Sequence, residues 1–160
     1  MPLDPDSFRS VLGRFATGVT VLTTRQPDGH DHGMTVSAFC SLSLSPPLVV
    51  LCIDQRAEMH AILEPGLQVV VNILAAHQEP LSRRFAEFEG TQRFDGIGYS
   101  RSQRGIPILD DVLAWLEGEI VTRHEGGDHG LYVAMVEYAS ARNGVRPLLH
   151  YRGGYAQLER

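Results

Sequence analysis

The sequence predicts a mainly β protein in which an antiparallel sheet curls into a barrel and a few helices pack on it. Stretches rich in β-branched residues outnumber stretches with helical spacing, and most are joined by short, turn-forming segments. Because strands joined by tight turns pair antiparallel, this pattern favours an antiparallel sheet curled into a barrel. The 160 residues, 43% of them hydrophobic, fit one domain spanning residues 1–160.

The first predicted element is a helix near the amino terminus. Asp4 is suited to cap this helix, and Pro5 is suited to its first turn. Four large apolar residues then follow one helical stripe: Phe8, Val11, Leu12 and Phe15. We therefore expect an amphipathic helix that covers part of the core and ends at Gly18.

Five further runs of β-branched and aromatic residues predict strands, at 18–24, 67–74, 114–125, 130–141 and 147–153. The polar segment QPDGHDHG at 26–33 predicts a turn after the first of them. The segment GGDHG at 126–130 predicts a tight connection between the two longest strands.

Two segments have the apolar spacing of helices. RAEMHAILEPG at 56–66 stops at its Pro-Gly pair, and EPLSRRFAEFEG at 79–90 ends at Gly90. The second helix is expected to direct three residues inward: Leu81, Phe85 and Phe88. The following segment, 91–107, is rich in Gly, Arg and Ser, so we expect it to be irregular.

The stretch GMTVSAFCSLSLSPPLVVLCI at 33–53 is uncharged and long enough to span a bilayer. The pair Pro46–Pro47 would break a helix near its middle, so the stretch predicts two strands with a turn at the prolines and no membrane span.

Alternate residues of the first of these strands differ in character. One side is apolar, with Met34, Val36, Ala38, Cys40, Leu42 and Leu44. The other side carries mostly small and hydroxylated residues, including Thr35, Ser37 and Ser41. Because no charged residue marks this side as solvent-facing, it suits a flat, partly polar ligand that approaches the main chain closely. The alternative is a strand buried on both faces or at a subunit contact.

Composition narrows the class of protein. The net charge is -5 and the basic residues are dispersed, which argues against nucleic-acid binding. Cys40 and Cys52 are too few for a disulfide framework, and both are expected to be small core residues. The seven histidines include no HExxH motif, so no metal site is predicted. The amino terminus lacks the features of a signal peptide, which makes the cytoplasm the expected location.

Six segments, in this order along the chain, resemble the short-chain flavin reductases. They are GMTVSAFCSLSLSPPLVVLCI, VNIL, LSRRFA, FDGIGY, GDHGLYVAMVEYA and PLLHYRGGY, and the resemblance runs from about Phe8 to Tyr155. The family comprises the reductase components of two-component flavin-dependent monooxygenases. The resemblance implies an FMN-binding, Greek-key split barrel, usually a homodimer. It also implies that NADH or NADPH reduces FMN, FAD or riboflavin, which then diffuses to a separate oxygenase.

The resemblance also implies where flavin binds. The residues that match the strand facing the isoalloxazine ring are Met34, Thr35, Val36 and Ser37. Those that match the end of the next strand, near the ribityl chain, are Cys52, Ile53 and Asp54. Arg56 matches the basic partner of the phosphate, although the hydroxyl residues common there are replaced by Ala57, Glu58 and Met59. The residues that match the helix near the flavin tail are Ser82, Arg83, Phe85 and Ala86.

The nicotinamide side of the pocket is implied to lie at the GDH sequence. His129 would hydrogen-bond or stack with the nicotinamide, with Asp128 orienting its ring. The alternative is a hairpin turn in which Asp128 caps locally. Tyr151 and Arg152 match a segment near the flavin or the dimer contact, and their alternative is simple edge packing. Because the sequence has no G-x-G-x-x-G fingerprint, the nicotinamide nucleotide is expected to fold over bound flavin.

Hydride transfer between stacked rings depends mainly on their positions. We therefore expect no essential acid or base, with His129 acting by positioning the nicotinamide. Two other functions stay open from the sequence. One is a flavin- or haem-binding protein of the same fold without robust reductase activity. The other is a flavoprotein reductase that acts on a corrinoid or ferric chelate.

Overall fold

The computed structural model describes residues 2–87 and 90–159, and strands dominate this part of the chain. The helices are α1 (Pro5–Leu12), α2 (Glu58–Ile62) and α3 (Glu79–Glu87), with 3₁₀ turns at Ala76–Gln78 and Gly90–Phe94. The strands are β1 (Thr17–Gly18), β2 (Thr20–Arg25), β3 (Asp31–Val36), β4 (Phe39–Leu44), β5 (Pro47–Asp54), β6 (Gln68–Ile73), β7 (Tyr99–Arg101), β8 (Pro107–Leu109), β9 (Ala114–Gly126), β10 (His129–Ala141), β11 (Leu148–Tyr151) and β12 (Gly154–Gln157). Phe88, predicted to face inward, lies outside the described residues.

The main sheet is antiparallel, with strand order β3-β2-β6-β9-β10-β5-β4. Only residues 37 and 38 separate β3 from β4, yet these strands lie at opposite ends of that order. Three residue steps span about 11 Å at most, so the sheet must curl until its two edges meet. Contacts between β3 and β5, the neighbour of β4, support this meeting point. The predicted mainly β, antiparallel, curled architecture is confirmed.

The interior of the curled sheet is the principal core. Its fully buried side chains include Leu22, Leu51, Ile120 and Tyr132, and α2 adds Met59. A second core lies between the outer surface of the sheet and α3, where Phe85 packs against residues of β2, β8 and β11. Helix α3 is thus anchored on β3 and β2, which is what brings it to the end of β3.

The prediction that 33–45 forms one strand was wrong. The chain breaks after Val36, because β3 pairs with β2 whereas β4 pairs with β5. The apolar side of the predicted strand is not covered beyond this break, since Leu42 is 54% and Leu44 93% exposed. Cys40 is exposed for the same reason and is not a core residue. As an edge strand with a bulge between Ser41 and Ser43, β4 leaves these side chains uncovered by the described chain.

The prediction that α1 covers part of the core was wrong as well. Asp4 caps the helix by accepting a hydrogen bond from the Ser7 N–H (2.9 Å), as its sequence signal indicates. The helix ends at Leu12 rather than near Gly18, and no residue of it is buried. Its apolar stripe faces outward instead, with Phe8 53% and Phe15 76% exposed.

The carboxy-terminal half contains more strand than predicted. The segment expected to be irregular, 91–107, contains β7, which pairs with β8. The last predicted strand is β11, and it pairs with β12, which the sequence did not indicate. Among residues 2–87 and 90–159, no helix is long and apolar enough to cross a bilayer.

Candidate flavin site

A cavity of about 180 Å³ opens between the end of β3, the start of α2 and the inner side of α3. It is lined by Met34, Thr35, Ala57, Glu58, Met59, Phe85, Ala86 and Arg93. Four of the predicted site residues therefore meet at one cavity: Met34, Thr35, Phe85 and Ala86. The hydroxylated side of the first uncharged strand thus borders a cavity at Thr35, and it is not sealed inside a solid interior there.

Close packing holds α3 against β3 beside this cavity. The Thr35 hydroxyl donates a hydrogen bond to the Ser82 carbonyl oxygen (2.6 Å). Gly33 has no side chain, and a Cβ at this position would lie 2.5 Å from Cε1 of Phe85. The Phe85 ring also packs edge-on against Phe94, with 5.1 Å between ring centroids. The wall of the cavity is therefore fixed by one hydrogen bond and by close aromatic contacts.

Two predicted site residues can contact a ligand only through their main chain. Val36 is 4% exposed and Ile53 is 1% exposed, because their side chains point into the core of the curled sheet. Cys52 is half-buried on the other side of β5, where burial and then the nearby Cys40 raise the pKa of its thiol. Ser37 lies in the short break between β3 and β4, next to the Ala38 carbonyl that Cys52 contacts.

The end of β5 forms a corner around Asp54 and Arg56. The Asp54 carboxylate accepts hydrogen bonds from the Arg56 backbone N–H (2.8 Å), Nε (3.1 Å) and Nη2 (2.8 Å). These bonds hold the pKa of Asp54 well below its usual range and raise the pKa of Arg56. The Arg56 side chain is 91% exposed and already paired with a carboxylate. Its positive charge is therefore largely balanced before any phosphate arrives.

Two charged residues that line the cavity, Arg93 and Glu58, were not assigned to the flavin site from the sequence. Arg93 donates a hydrogen bond to the Gly33 carbonyl oxygen (2.7 Å), which brings its guanidinium to β3. Glu58 begins α2, and its Oε1 lies 3.5 Å from Nδ1 of His32. Arg93 lies in a segment expected to be irregular, so no periodicity could place it. The only sequence signal for Glu58 was that Ala57, Glu58 and Met59 stand where the resembling family commonly has hydroxyl residues.

His129 lies beside the Asp54 corner. Its backbone is paired with that of Asp54 in the β5–β10 ladder, and its Nδ1 lies 2.7 Å from Oδ1 of Asp128. The carboxylate accepts the Nδ1–H bond, so Nε2 is the acceptor of the neutral ring. Gln55 fixes the turn, because its backbone N–H donates to the Asp128 carbonyl (2.9 Å) and its amide donates to the Gly127 carbonyl (3.1 Å).

The other two predicted residues of α3 contact β12. The Ser82 hydroxyl lies 2.7 Å from the Tyr155 hydroxyl, and the Arg83 guanidinium lies 4.9 Å from the centre of the Tyr155 ring. Arg83 also borders a larger open groove of about 450 Å³ on the outer side of α3. Because Arg83 is paired with Glu79 (2.9 Å), it is not aimed at the 180 Å³ cavity. Tyr155 is a residue that the predicted site omitted.

Tyr151 and Arg152 are not brought to the cavity by the described chain. They occupy the tight turn between β11 and β12, where Arg152 has φ of 52°. The Arg152 backbone N–H donates to the Gly13 carbonyl oxygen (2.8 Å), directly after α1. These two residues therefore lie beside the exposed apolar stripe of α1.

The chain thus forms a curled antiparallel sheet with a candidate ligand cavity beside its edge strand β3. The family model described as "Flavin reductase like domain" matches residues 12–159, so the chain belongs to the flavin reductase-like family. An NADH-dependent flavin reductase from Rhodococcus sp is 39% identical over 163 residues, covering 98% of this chain and 90% of the relative. HsaB, the reductase subunit of a flavin-dependent monooxygenase from Mycobacterium tuberculosis, is 39% identical over 159 residues, covering 98% and 84%.

Solved structures agree with this family. The NADH:FAD oxidoreductase SgcE6 from Streptomyces globisporus superposes with a TM-score of 0.91 at 34% identity, covering 100% of this chain and 98% of that one.

Proposed function

We propose that the protein is an NADH-dependent flavin reductase that supplies reduced flavin to a separate monooxygenase component. The observation that carries this proposal is the cavity at Met34 and Thr35, whose lining residues Ala57 and Glu58 closely follow the Asp54–His129 corner along the chain. The names of the relatives support the chemistry, because both are reductases and one serves a monooxygenase. The overall reaction is NADH plus flavin plus a proton, giving NAD⁺ and reduced flavin.

We propose that FMN or FAD lies with its ring against β3, beside Met34, Thr35 and Ser37. Val36 and Ile53 would contribute main-chain contacts only, because their side chains are buried. Cys52 and Asp54 would border the ribityl chain, and Phe85 and Ala86 would form the opposite wall. Ser82 and Arg83 would act indirectly by holding α3 on β12. Arg93 would border the flavin as a cationic side chain in the cavity lining.

When bound, flavin supplies N5 as the hydride acceptor. The protein's own residues then have to hold the two rings in contact and keep water out. His129 is positioned for this role, since Asp128 fixes its ring and Nε2 stays available to accept a hydrogen bond from the nicotinamide amide. We propose NADH rather than NADPH as the donor, on the precedent of the Rhodococcus relative.

The proposed role of His129 has a defined kinetic signature. Replacing His129 with alanine removes a binding contact and leaves the ring-to-ring chemistry intact. We expect KM for NADH to rise by about tenfold while kcat changes by less than about threefold. Steady-state NADH oxidation at saturating flavin measures both constants. A collapse of kcat with unchanged KM would contradict this role.

We also infer a homodimer in the cytoplasm. The outward apolar stripe of α1 and the exposed Leu42 and Leu44 of β4 are surfaces that a second copy could cover. Tyr151 and Arg152, which lie beside α1, would then border the contact. Cys40 and Cys52 are both free thiols, as is usual for proteins of that compartment. Sedimentation equilibrium measures the mass, and a monomer would refute the dimer.

An anaerobic mixing experiment tests the proposed activity. Addition of NADH to the protein with FMN, FAD or riboflavin should bleach the flavin absorption band over many turnovers. Flavin that binds but stays oxidised would instead identify a binding protein. Bleaching of bound flavin in a single turnover, followed by catalytic NADH consumption only after addition of a corrinoid or ferric chelate that re-oxidises the flavin, would identify a reductase of another acceptor.

A further inference from the structure

A cluster of the half-buried His60, the exposed Arg123 and the buried Tyr132 joins α2 to the two long strands. Arg123 Nη2, which can only donate, lies 2.6 Å from His60 Nε2. The proton of the His60 ring is therefore on Nδ1, which lies 2.8 Å from the Tyr132 hydroxyl oxygen. The Tyr132 hydroxyl in turn donates to the His60 carbonyl oxygen (3.2 Å), and burial raises the pKa of Tyr132. Every polar group of the His60 ring thus has a defined partner.

The cluster packs directly against the residue that follows His129. A Cβ at Gly130 would lie 2.9 Å from both Cε1 and Nδ1 of His60 and 3.0 Å from Cε2 of Tyr132. The His60 ring therefore rests on the main chain of Gly130. Arg123 extends the contact, since its guanidinium lies 5.6 Å from the centre of the Tyr132 ring and Nη1 donates to the Leu63 carbonyl (3.4 Å).

The two strands are also tied to α2 from the other side of the turn. Gln55 bonds the carbonyl groups of Gly127 and Asp128, just before α2 begins. The turn that carries His129 is thus clamped between Gln55 and the His60 ring. Because both contacts hold the main chain of this turn, we expect loss of either one to shift His129 relative to the Asp54 corner.

We propose that His60, held by Tyr132 and Arg123, is a positioning residue that fixes the His129 turn for nicotinamide binding. This inference rests on the proposed role of His129 in holding NADH. His60 itself touches neither substrate, and it acts through the main chain of Gly130.

Two glycine variants form a matched pair for testing this inference. Gly130→Ala inserts a methyl group between His60 and Tyr132, whereas at Gly126, in the same hairpin, a Cβ would meet only the His129 carbonyl oxygen at 3.7 Å. We expect Gly130→Ala to raise KM for NADH by about five- to tenfold, with kcat and KM for flavin within about twofold of the parent. Gly126→Ala should leave all three constants within about twofold.

A double-mutant cycle shows whether the effect passes through His60. His60→Ala should raise KM for NADH to a similar extent. It also vacates the space that the added methyl group needs, so His60→Ala/Gly130→Ala should equal His60→Ala within about twofold. Tyr132→Phe keeps the buried ring and removes only the hydroxyl, and it should raise KM for NADH by about threefold. That variant tests the inference even where His60→Ala does not fold.

The outcomes distinguish failure of this inference from failure of the proposed role of His129, on which the inference rests. If His129→Ala raises KM for NADH but Gly130→Ala and Tyr132→Phe do not, the positioning role is refuted. Multiplicative effects in the double mutant would refute it too. If His129→Ala leaves KM unchanged, the proposed role of His129 fails first.

Discussion

Gly33→Ala tests the packing that forms the wall of the cavity. The added Cβ would lie 2.5 Å and 2.8 Å from two atoms of Phe85 and 3.1 Å from Cζ of Phe94. Atoms at such distances overlap, and Phe85 is fully buried, so its ring cannot swing into solvent. The strain of overpacking a core in this way is typically about 1–3 kcal/mol. Relief of this strain requires β3 and α3 to move apart.

The consequence of this movement is predicted for both stability and flavin binding. For a chain of this size, each kcal/mol lowers Tm by about 2–4 °C. Since Phe85 and Ala86 line the cavity, displacement of α3 should also weaken flavin binding on the order of tenfold, which corresponds to about 1.4 kcal/mol. Thermal unfolding and a flavin fluorescence titration measure the two effects.

Gly18→Ala is the matched control for this variant. Gly18 also lies in a strand, and a Cβ there would have no atom within 4 Å. We expect its Tm and flavin affinity to match those of the parent protein. If Gly33→Ala behaves like Gly18→Ala in both assays, Phe85 does not rest on Gly33, and the described cavity wall is incorrect.

Two further predictions concern charge. Glu58→Gln removes a carboxylate from the cavity mouth, so KM for FMN, whose phosphate is dianionic, should fall about two- to fivefold relative to riboflavin. An unchanged ratio would place the phosphate away from Glu58. Because Arg56 depresses the pKa of Asp54 below its unfolded value, Asp54 contributes stability above about pH 4 that is lost as the pH falls further. Urea unfolding should therefore show the gap between parent and Asp54→Asn shrinking from pH 7 to pH 3, and a constant gap would contradict this assignment.

Local sequence patterns predicted the strands in the middle of the sheet, each of which has a neighbouring strand on both sides. β6 and the β9–β10 pair are found where β-branched residues and the GGDHG turn placed them. Such patterns indicate whether one face of a strand is buried or meets a ligand. They do not identify the strand that pairs with it. The division of 33–45 arises because β3 pairs with β2 whereas β4 pairs with β5, and no pattern within 33–45 shows that its two halves pair with different strands.

The candidate site was predictable where it depends on small residues in a strand. Thr35 could be selected because an uncharged, hydroxylated strand face is unusual. Arg93 could not, since it reaches the cavity through a carbonyl contact with Gly33 from a segment without periodicity. The stripe of α1 correctly indicated an apolar surface, but amphipathicity cannot tell whether a chain covers that surface itself.

A crystal structure of the protein with bound FMN or FAD tests the central claim most directly. We predict that the isoalloxazine ring lies against the main chain of residues 34–37, with Phe85 and Ala86 opposite and the His129 turn at its open face. A ring bound elsewhere, such as in the groove outside α3, with Met34 and Thr35 untouched, would contradict the account.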